Sequence, residues 1–259
     1  MQQLKATIVS AIEAVKGVYL FRLEAPEIAA AARPGQFVMV RCGEDTVLPR
    51  PFSIHNAADG EISLLIGVVG KGTEWLSHKK KGDCLDIFGP LGNGYHLDDK
   101  TSNILLVAGG LGIAPLRFMA ERAAGAGKQV TILNGARNSA LLIPAIPSQG
   151  MFSKGVRAEA VHCFNATEDG SEGFKGLATQ LIPHYLDKID QVFACGPMSM
   201  YKTMAQMEVL KNRPVQLSLE IMMGCGTGVC YGCTIKMKDG CLKQVCKDGP
   251  VFDMGEVVF

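Results

Sequence analysis

The sequence predicts three parts in series: an antiparallel β-barrel or sandwich, a parallel α/β domain, and a small cysteine-rich module. Three observations carry this. Short β-branched runs separated by Pro, Gly, Asn and Asp fill the first hundred residues. Near residue 100 the pattern changes to apolar strands followed by glycines and helical runs. Beyond Pro214 the chain becomes glycine-rich and carries five of its nine cysteines. The expected boundaries are 1–99, 100–213 and 214–259. With 259 residues and 47% hydrophobic content, the chain can bury about two domain cores plus an appendage. The appendage is too small for a core of its own, so its order is expected to depend on a bound group.

Taken in order, the first part reads as strands over 7–9, 17–23, 36–41, 61–69 and 84–88, with Arg50-Pro51-Phe52-Ser53-Ile54 as another opened by a proline. One helix interrupts them, with Thr73 expected as its N-cap. The second part starts with the wholly apolar strand 103–108, followed by a helical run over 116–124. Further buried strands are expected at 129–133 and 191–194, a helix at 198–211, and an end to the domain at Pro214.

Charge excludes some functions. The 26 basic residues nearly balance the 25 acidic ones, leaving no electrostatic footprint for nucleic acid or a membrane surface. The opening Met-Gln-Gln-Leu-Lys lacks the features of a secretory signal, and the cysteine count is odd, which together favour a reducing cytoplasm. The longest apolar run, Ile104 to Pro115, falls short of the roughly 20 residues that span a bilayer. A soluble cytoplasmic protein is expected. His55, His78, His96, His162 and His184 show no metal-ligand spacing and read as ordinary surface or core residues.

The strongest chemical signal is Gly224-Cys225-Gly226-Thr227-Gly228-Val229-Cys230-Tyr231-Gly232-Cys233, answered by Cys246 after twelve intervening residues. This C-x4-C-x2-C…C spacing is the plant-type arrangement for a [2Fe–2S] cluster. The glycines let the backbone wrap a small inorganic core and aim N–H groups at the sulfurs. Zinc is the alternative, although structural zinc sites usually pair two short knuckles and only one is present. Cys241 competes with Cys246 as fourth ligand. Asp239-Gly240 reads as a hairpin turn, and Cys246 lies further down the returning strand, where the chain can come back to the loop.

Four weaker signals lie upstream. Gly109-Gly110-Leu111-Gly112-Ile113-Ala114-Pro115 joins a strand to a helix, where glycines admit a phosphate to the helix N-terminus; a turn needed only for tight packing is the alternative. Pro115 suits a first helical turn. No acidic residue follows about twenty positions on; Arg137 stands there instead. Arg50 can pair with phosphate and Ser53 can hydrogen-bond a ligand, although by itself Arg50 reads as a surface arginine beside a strand, while Gly70-Lys71-Gly72-Thr73 is an anion nest or a plain turn. Cys195-Gly196-Pro197 ends a buried strand, and its thiol either faces a ligand or fills core.

In this order, and with Gly89-Pro90-Leu91-Gly92 between them, these motifs resemble the ferredoxin–NADP reductase superfamily. The cysteine loop and the tail Val245-Cys246-Lys247-Asp248-Gly249-Pro250-Val251-Phe252 are similar to the electron-transfer subunits of class B dihydroorotate dehydrogenases. The resemblance covers essentially the whole chain. It implies an antiparallel Greek-key β-barrel binding FAD, a parallel α/β domain binding NAD, and a [2Fe–2S] module held by Cys225, Cys230, Cys233 and Cys246. Arg50, Pro51, Phe52 and Ser53 would hold the flavin and its diphosphate, Gly72 and Thr73 the diphosphate, and Leu65, Ile66 and Gly67 the ribityl and adenine side. Relatives often carry an aromatic and an arginine where Ile66 and Gly67 stand. Gly110, Gly112, Cys195, Gly196 and Pro197 would flank the nicotinamide dinucleotide. The implied activity passes electrons from dihydroorotate, oxidised at FMN in a separate catalytic subunit, through this chain to NAD+ for pyrimidine (UMP) biosynthesis. The partner is expected in a heterotetramer with two copies of each subunit. No general acid or base is assigned. The apolar Ile221-Met222 ahead of the loop departs from the polar residues expected and suits a partner face. The competing reading is the small subunit of a related complex, a NADH-dependent ferredoxin–NADP oxidoreductase or a sulfide dehydrogenase.

Overall fold

The computed structural model describes residues 1–44, 46–145 and 158–259. Among these, six antiparallel strands close a barrel: β1 (Gln2–Val15), β2 (Val18–Glu24), β3 (Phe37–Val40), β4 (Arg50–Ala58), β5 (Glu61–Gly67) and β6 (Cys84–Leu91), in the order β1-β2-β5-β4-β3-β6 with β6 returning to β1. Closure removes the open edges that would otherwise pair with other chains. Alternate residues such as Phe21, Leu23, Ile54, Ile62 and Leu64 fill the interior. A helix that the sequence pattern did not reveal, α1 (Pro26–Ala31), opens at a proline and buries Ile28 and Ala29 against the barrel.

The helix expected after residue 72 is α2 (Lys71–Ser77), and its cap is Gly70 rather than Thr73. Thr73 stands at the third helical position and reaches backwards, its Oγ1 accepting the N–H groups of Val69 (2.9 Å) and Gly70 (3.1 Å). The reason is local. A threonine three residues into a helix can satisfy the N–H groups preceding it, and glycine at the cap leaves room to do so.

The central sheet runs in the order β10 (Phe174–Lys175), β9 (Val161–Thr167), β8 (Gln129–Ala136), β7 (Asn103–Gly109), β11 (Gln191–Cys195), β12 (Val215–Ser218) and β15 (Val251–Asp253). All are parallel except β15, which runs against β12. Ile104 to Ala108 are fully buried because α3 (Ile113–Gly125) packs on one side and α4 (Ala178–Tyr185), with α5 (Met198–Gln206), on the other. The expected helix over 198–211 is shorter, ending at Gln206 before a single 3-10 turn at 208–210.

Two buried side chains fasten the barrel-to-sheet linker. The Gln191 amide accepts from Asp98 N–H and Thr101 Oγ1 and donates to His96 O, while Tyr95 donates its hydroxyl to Ala194 O at 3.2 Å.

The C-terminal stretch does not stand apart. β12 and β15, which lie beyond the expected boundary at residue 213, are strands of the central sheet. The hairpin β13 (Thr234–Lys236) and β14 (Leu242–Gln244), with the short helix α6 (Val245–Asp248), completes it. Cys233, Met237, Val245, Cys246 and Phe252 share one apolar cluster with Phe37, Met39 and Leu91 of the barrel and Leu105 and Val192 of the sheet. A module too small for a core of its own has borrowed one. Asn93 fastens it further, its Nδ2 donating to the carbonyls of Lys247 (3.3 Å) and Asp248 (3.2 Å).

His55 joins barrel to sheet, its Nδ1 lying 3.1 Å from Ala114 O on α3. Burial, aided by the Arg117 charge, lowers its pKa from 6.5 to about 4. Above pH 6.5 neither state is protonated at this ring. Between 6.5 and 4 the unfolded chain takes up a proton that the folded chain refuses, so stability falls as pH drops through that window. His55→Gln is therefore expected to lose less stability than the wild type between pH 7 and pH 5, as read from denaturant midpoints; an equal loss in both would contradict this.

Candidate functional site

The crevice at the carboxyl ends of β7 and β11 lies where the strand order reverses, the usual ligand position in an open parallel sheet. Here Gly109 to Gly112 meet Cys195-Gly196-Pro197. A Cβ on Gly109 would fall 2.8 Å from Pro197 Cδ, and one on Gly112 would collide with the Cys195 carbonyl. Gly112 thus exists to let two backbones touch, whereas Gly110, with nothing within 4 Å, is glycine for its φ of +57°. These loops wall a cavity of about 460 Å3 that also takes in Arg137, Glu168, Thr179 and Glu220. Thr179 is 2% exposed and its hydroxyl has no hydrogen-bond partner among the described residues. An orphaned hydroxyl on the wall of a cavity fits a polar ligand that supplies the missing bond.

Other groups complete the crevice. Tyr201 accepts from Gly196 N–H (2.9 Å) and donates to Ser218 O (2.5 Å), pinning the ends of β11 and β12 together. Burial, with the Glu220 charge adding to it, pushes the Cys195 thiol far above its ordinary range, so it stays neutral. Burial also raises the Glu220 carboxyl. Thr179, Tyr201, Glu168 and Glu220 were not singled out from sequence. Their only signal is a position near strand ends or helix starts, which has meaning once the strand order is known.

On the barrel, the structure brings Arg50 and Gly72 together. A Cβ on Gly72 would lie 3.1 Å from Cys42 Cβ and 3.7 Å from Arg50 Nε. The Arg50 guanidinium donates to Leu48 O at 2.7 Å and flanks the start of α2, whose leading N–H groups have no partner within the helix. This cradle can take a diphosphate. The Thr73 hydroxyl is engaged in shaping the turn. Pro51, Phe52 and Ser53 pair in register with Met39, Val38 and Phe37. Leu65 and Ile66 turn their side chains into the sheet and barrel cores respectively, so a ligand would meet their main chain. Gly67 lies under Leu111, where a Cβ would come 2.7 Å from Leu111 Cδ1, so the barrel strand and the crevice loop are in contact.

The cysteine loop rests on the barrel. Gly226 (φ +74°) lies so close to Met39 that a Cβ would be 2.7 Å from its Cγ. Backbone N–H groups converge on the sulfurs: Thr227 and Cys230 each donate to Cys225 Sγ (3.4 Å), Gly228 to Cys246 Sγ (3.2 Å), and Cys246 to Cys233 Sγ (3.4 Å). Burial opposes ionisation of Cys225, but the N–H groups outweigh it and bring the thiol down to about 6. Burial and the adjoining Cys233 push Cys246 up to about 12.

Cys246 lies in α6, not on the returning strand, because the Asp248 carboxylate accepts Gln244 N–H at 2.6 Å and closes a helical turn. Cys241 is exposed at the hairpin turn, where its N–H bonds Asp239 Oδ1 (2.9 Å). Among the described residues no three His, Cys, Asp or Glu side chains gather round a single ion. Cys225 interacts with Cys230 and Cys246 with Cys233, and a smaller electrostatic interaction links Cys246 to Cys225. Two pairs of sulfurs under N–H groups fit a two-iron cluster, with two thiolates for each iron.

Comparison with known proteins agrees with this geometry. A family model described as the iron–sulfur cluster binding domain of dihydroorotate dehydrogenase B matches residues 220–258, an oxidoreductase NAD-binding domain matches 106–206, and an oxidoreductase FAD-binding domain matches 5–95. The chain is 40% identical to the dihydroorotate dehydrogenase B (NAD(+)) electron transfer subunit of Desulforamulus reducens, covering 98% of this chain and 97% of that one. The protein of the same name from Caldanaerobacter subterraneus is 37% identical, with 87% of each covered. Among solved structures, the NADH-dependent reduced ferredoxin–NADP oxidoreductase superposes with a TM-score of 0.84 at 32% identity, over 98% of this chain and 89% of that one. The ferredoxin reductase of carbazole 1,9a-dioxygenase shares the fold, with a TM-score of 0.68 at 20% identity over 83% of this chain and 68% of that one.

The two crevice glycines separate in a test. Gly112→Ala is expected to cost about 1–3 kcal/mol of stability through overpacking and to weaken NADH binding. Gly110→Ala meets only backbone strain, about 1 kcal/mol. Chemical denaturation and calorimetric titration with NADH measure both, and Gly110→Ala proving the more damaging would contradict the packing argument.

Proposed function

The chain belongs to the family of dihydroorotate dehydrogenase B electron transfer subunits, and from that premise we propose that it passes electrons from an FMN-containing subunit that oxidises dihydroorotate to NAD+, in a cytoplasmic heterotetramer of two copies of each subunit. It is an oxidoreductase component with FAD-, NAD- and iron–sulfur-binding domains. The observation that carries the reading is a continuous run of contacts. The cysteine loop packs on Met39, whose strand partner is Pro51 of the Arg50–Ser53 motif, and the neighbouring strand β5 touches the crevice loop where Gly67 meets Leu111.

When bound, the cluster exchanges single electrons, nicotinamide takes up a hydride, and the flavin manages both. The protein's own task is to hold the three in order. Cys225, Cys230, Cys233 and Cys246 would ligate the cluster, with the loop N–H groups lowering the charge on sulfur. Arg50 and the start of α2, with Gly72 and Thr73, would hold the flavin diphosphate, while the β4 segment Pro51–Ser53 and the main chain of Leu65–Gly67 would border the flavin. Gly110, Gly112 and Cys195-Gly196-Pro197 would take the dinucleotide, with the Thr179 hydroxyl free to donate or accept. The Cys195 thiol, neutral and buried, packs there without acting as a nucleophile.

The partner face is drawn from exposed apolar side chains on and beside the cysteine loop: Val47, Leu48, Met222, Val229 and Tyr231. Leu48 lies close to Gly224, and Cys230 is itself exposed among them. An apolar patch over a redox site suits a docking surface. Among the described residues no helix is long and apolar enough to cross a membrane.

Co-purification with the candidate FMN subunit under anaerobic conditions tests the reading. Dihydroorotate-dependent NAD+ reduction is expected only when both chains are present. It should vanish with Cys230→Ser and survive Cys241→Ser. A chain that binds flavin and iron and oxidises NADH with a dye, yet never couples to dihydroorotate, would contradict the proposal and favour a small subunit of the ferredoxin–NADP oxidoreductase type, whose solved structure superposes so well. In the same preparation, Met222→Asp with Val229→Asp is expected to lower partner recovery at least several-fold while iron and flavin content stay unchanged; unaltered recovery would exclude this face.

A further inference from the structure

Gly228 stands directly against a sulfur of the cysteine loop. Its N–H makes the shortest hydrogen bond to sulfur among the described residues, 3.2 Å to Cys246 Sγ, and that sulfur belongs to a residue only 2% exposed. A donor bond in such a dry site counts for more than one near water. Glycine at φ +84°, however, has no side chain to fix its own orientation.

The fixing comes from elsewhere. Gln244, the last residue of β14 and 8% exposed, donates its Nε2 to the Gly228 carbonyl at 2.8 Å. Its own backbone is held twice, by pairing with Thr234 across the hairpin and by donation of its N–H to Asp248 Oδ2 at 2.6 Å. The fit is close, since a Cβ on Gly228 would come 2.9 Å from Gln244 Oε1 and 3.0 Å from Lys247 Cδ. A rigid amide therefore clamps the carbonyl of the same residue whose N–H points at Cys246.

We infer that Gln244 is a positioning residue that raises the reduction potential of the metal cluster by aiming the Gly228 N–H at Cys246. The inference rests on the cluster reading proposed above. Reduction adds one negative charge to the cluster and its thiolates, and an N–H donor stabilises the more negative state more strongly. Loss of the clamp lets Gly228 turn, weakens the bond to sulfur and favours the oxidised state. Gln244 touches neither sulfur nor metal in this role; it acts through Gly228.

The test is potentiometry of the purified full chain, following the cluster by electron paramagnetic resonance and the flavin by absorbance. Gln244→Leu removes the donor, and Gln244→Glu keeps the shape but places an acceptor against a carbonyl. Both variants are expected to load iron, sulfide and FAD like the wild type. In both, the equilibrium constant for cluster reduction should fall about tenfold, a shift of about 59 mV to more negative potential for one electron, with the flavin potential unchanged. Lys243→Ala, next along the strand and paired with Glu256, should leave both potentials alone. Loaded variants with an unaltered cluster potential would overturn the inference, as would failure of both to load a cluster, which would make Gln244 a structural residue. A wild-type chain without iron would overturn the cluster assignment and this inference with it, whereas failure to couple with dihydroorotate would touch only the proposed partner.

Discussion

Gly226 lies flat against the Met39 thioether, and that contact ties the cysteine loop to the barrel strand beside the Arg50–Ser53 motif. The C-terminal module cannot build a core from some forty residues, so it places Cys233, Val245, Cys246 and Phe252 in the apolar cluster that Phe37, Met39 and Leu91 provide. Two further attachments, β15 against β12 and Asn93 against the Lys247 and Asp248 carbonyls, remove the remaining freedom. The result is a metal-binding loop whose separation from the barrel is set by packing. Electron transfer between fixed carriers needs such a separation, and close-packed interiors resist changing it.

The crevice at the carboxyl ends of β7 and β11 follows the same economy. Gly112 brings the α3 loop onto the Cys195-Gly196 backbone, and Tyr201 locks that backbone to Ser218, so the carboxyl edge of the sheet is rigid before any ligand arrives. His55 and Leu111 carry this rigidity across to the barrel. Pre-organisation reduces the ordering that a bound cofactor must otherwise impose. The pH dependence of His55 and the stiffness of the crevice thus have one origin, the dry seam between barrel and sheet.

The sequence made much of this legible because the chemistry is local. The cysteine spacing, the glycine turn ending in Pro115 and the apolar strand 103–108 are each contained in a dozen residues. Arg50 and Gly72, read separately, come together on the barrel, and Gly112 meets Cys195 and Gly196. What escaped depends on pairings distant in the chain. Thr179, Tyr201 and Gln244 look like ordinary helix or strand residues until strand order and loop path bring them to a cavity wall, a strand end and a glycine carbonyl. Thr73 was misread as a cap because a backward-reaching hydroxyl and a forward-reaching one leave similar sequence patterns. The helical placement of Cys246 depends on Asp248, two residues on, closing the turn from below. Leu65 and Ile66, consecutive on β5, send their side chains to opposite sides and into two different cores, which leaves their main chain to border a ligand.

The iron–sulfur- and FAD-binding domains of this one chain share a single frame. Quantifying iron, acid-labile sulfide, zinc and FAD in the anaerobically purified chain, with no partner present, tests it most directly. Two irons, two sulfides and one FAD per chain are expected. One zinc per chain, with neither iron nor flavin, would contradict it.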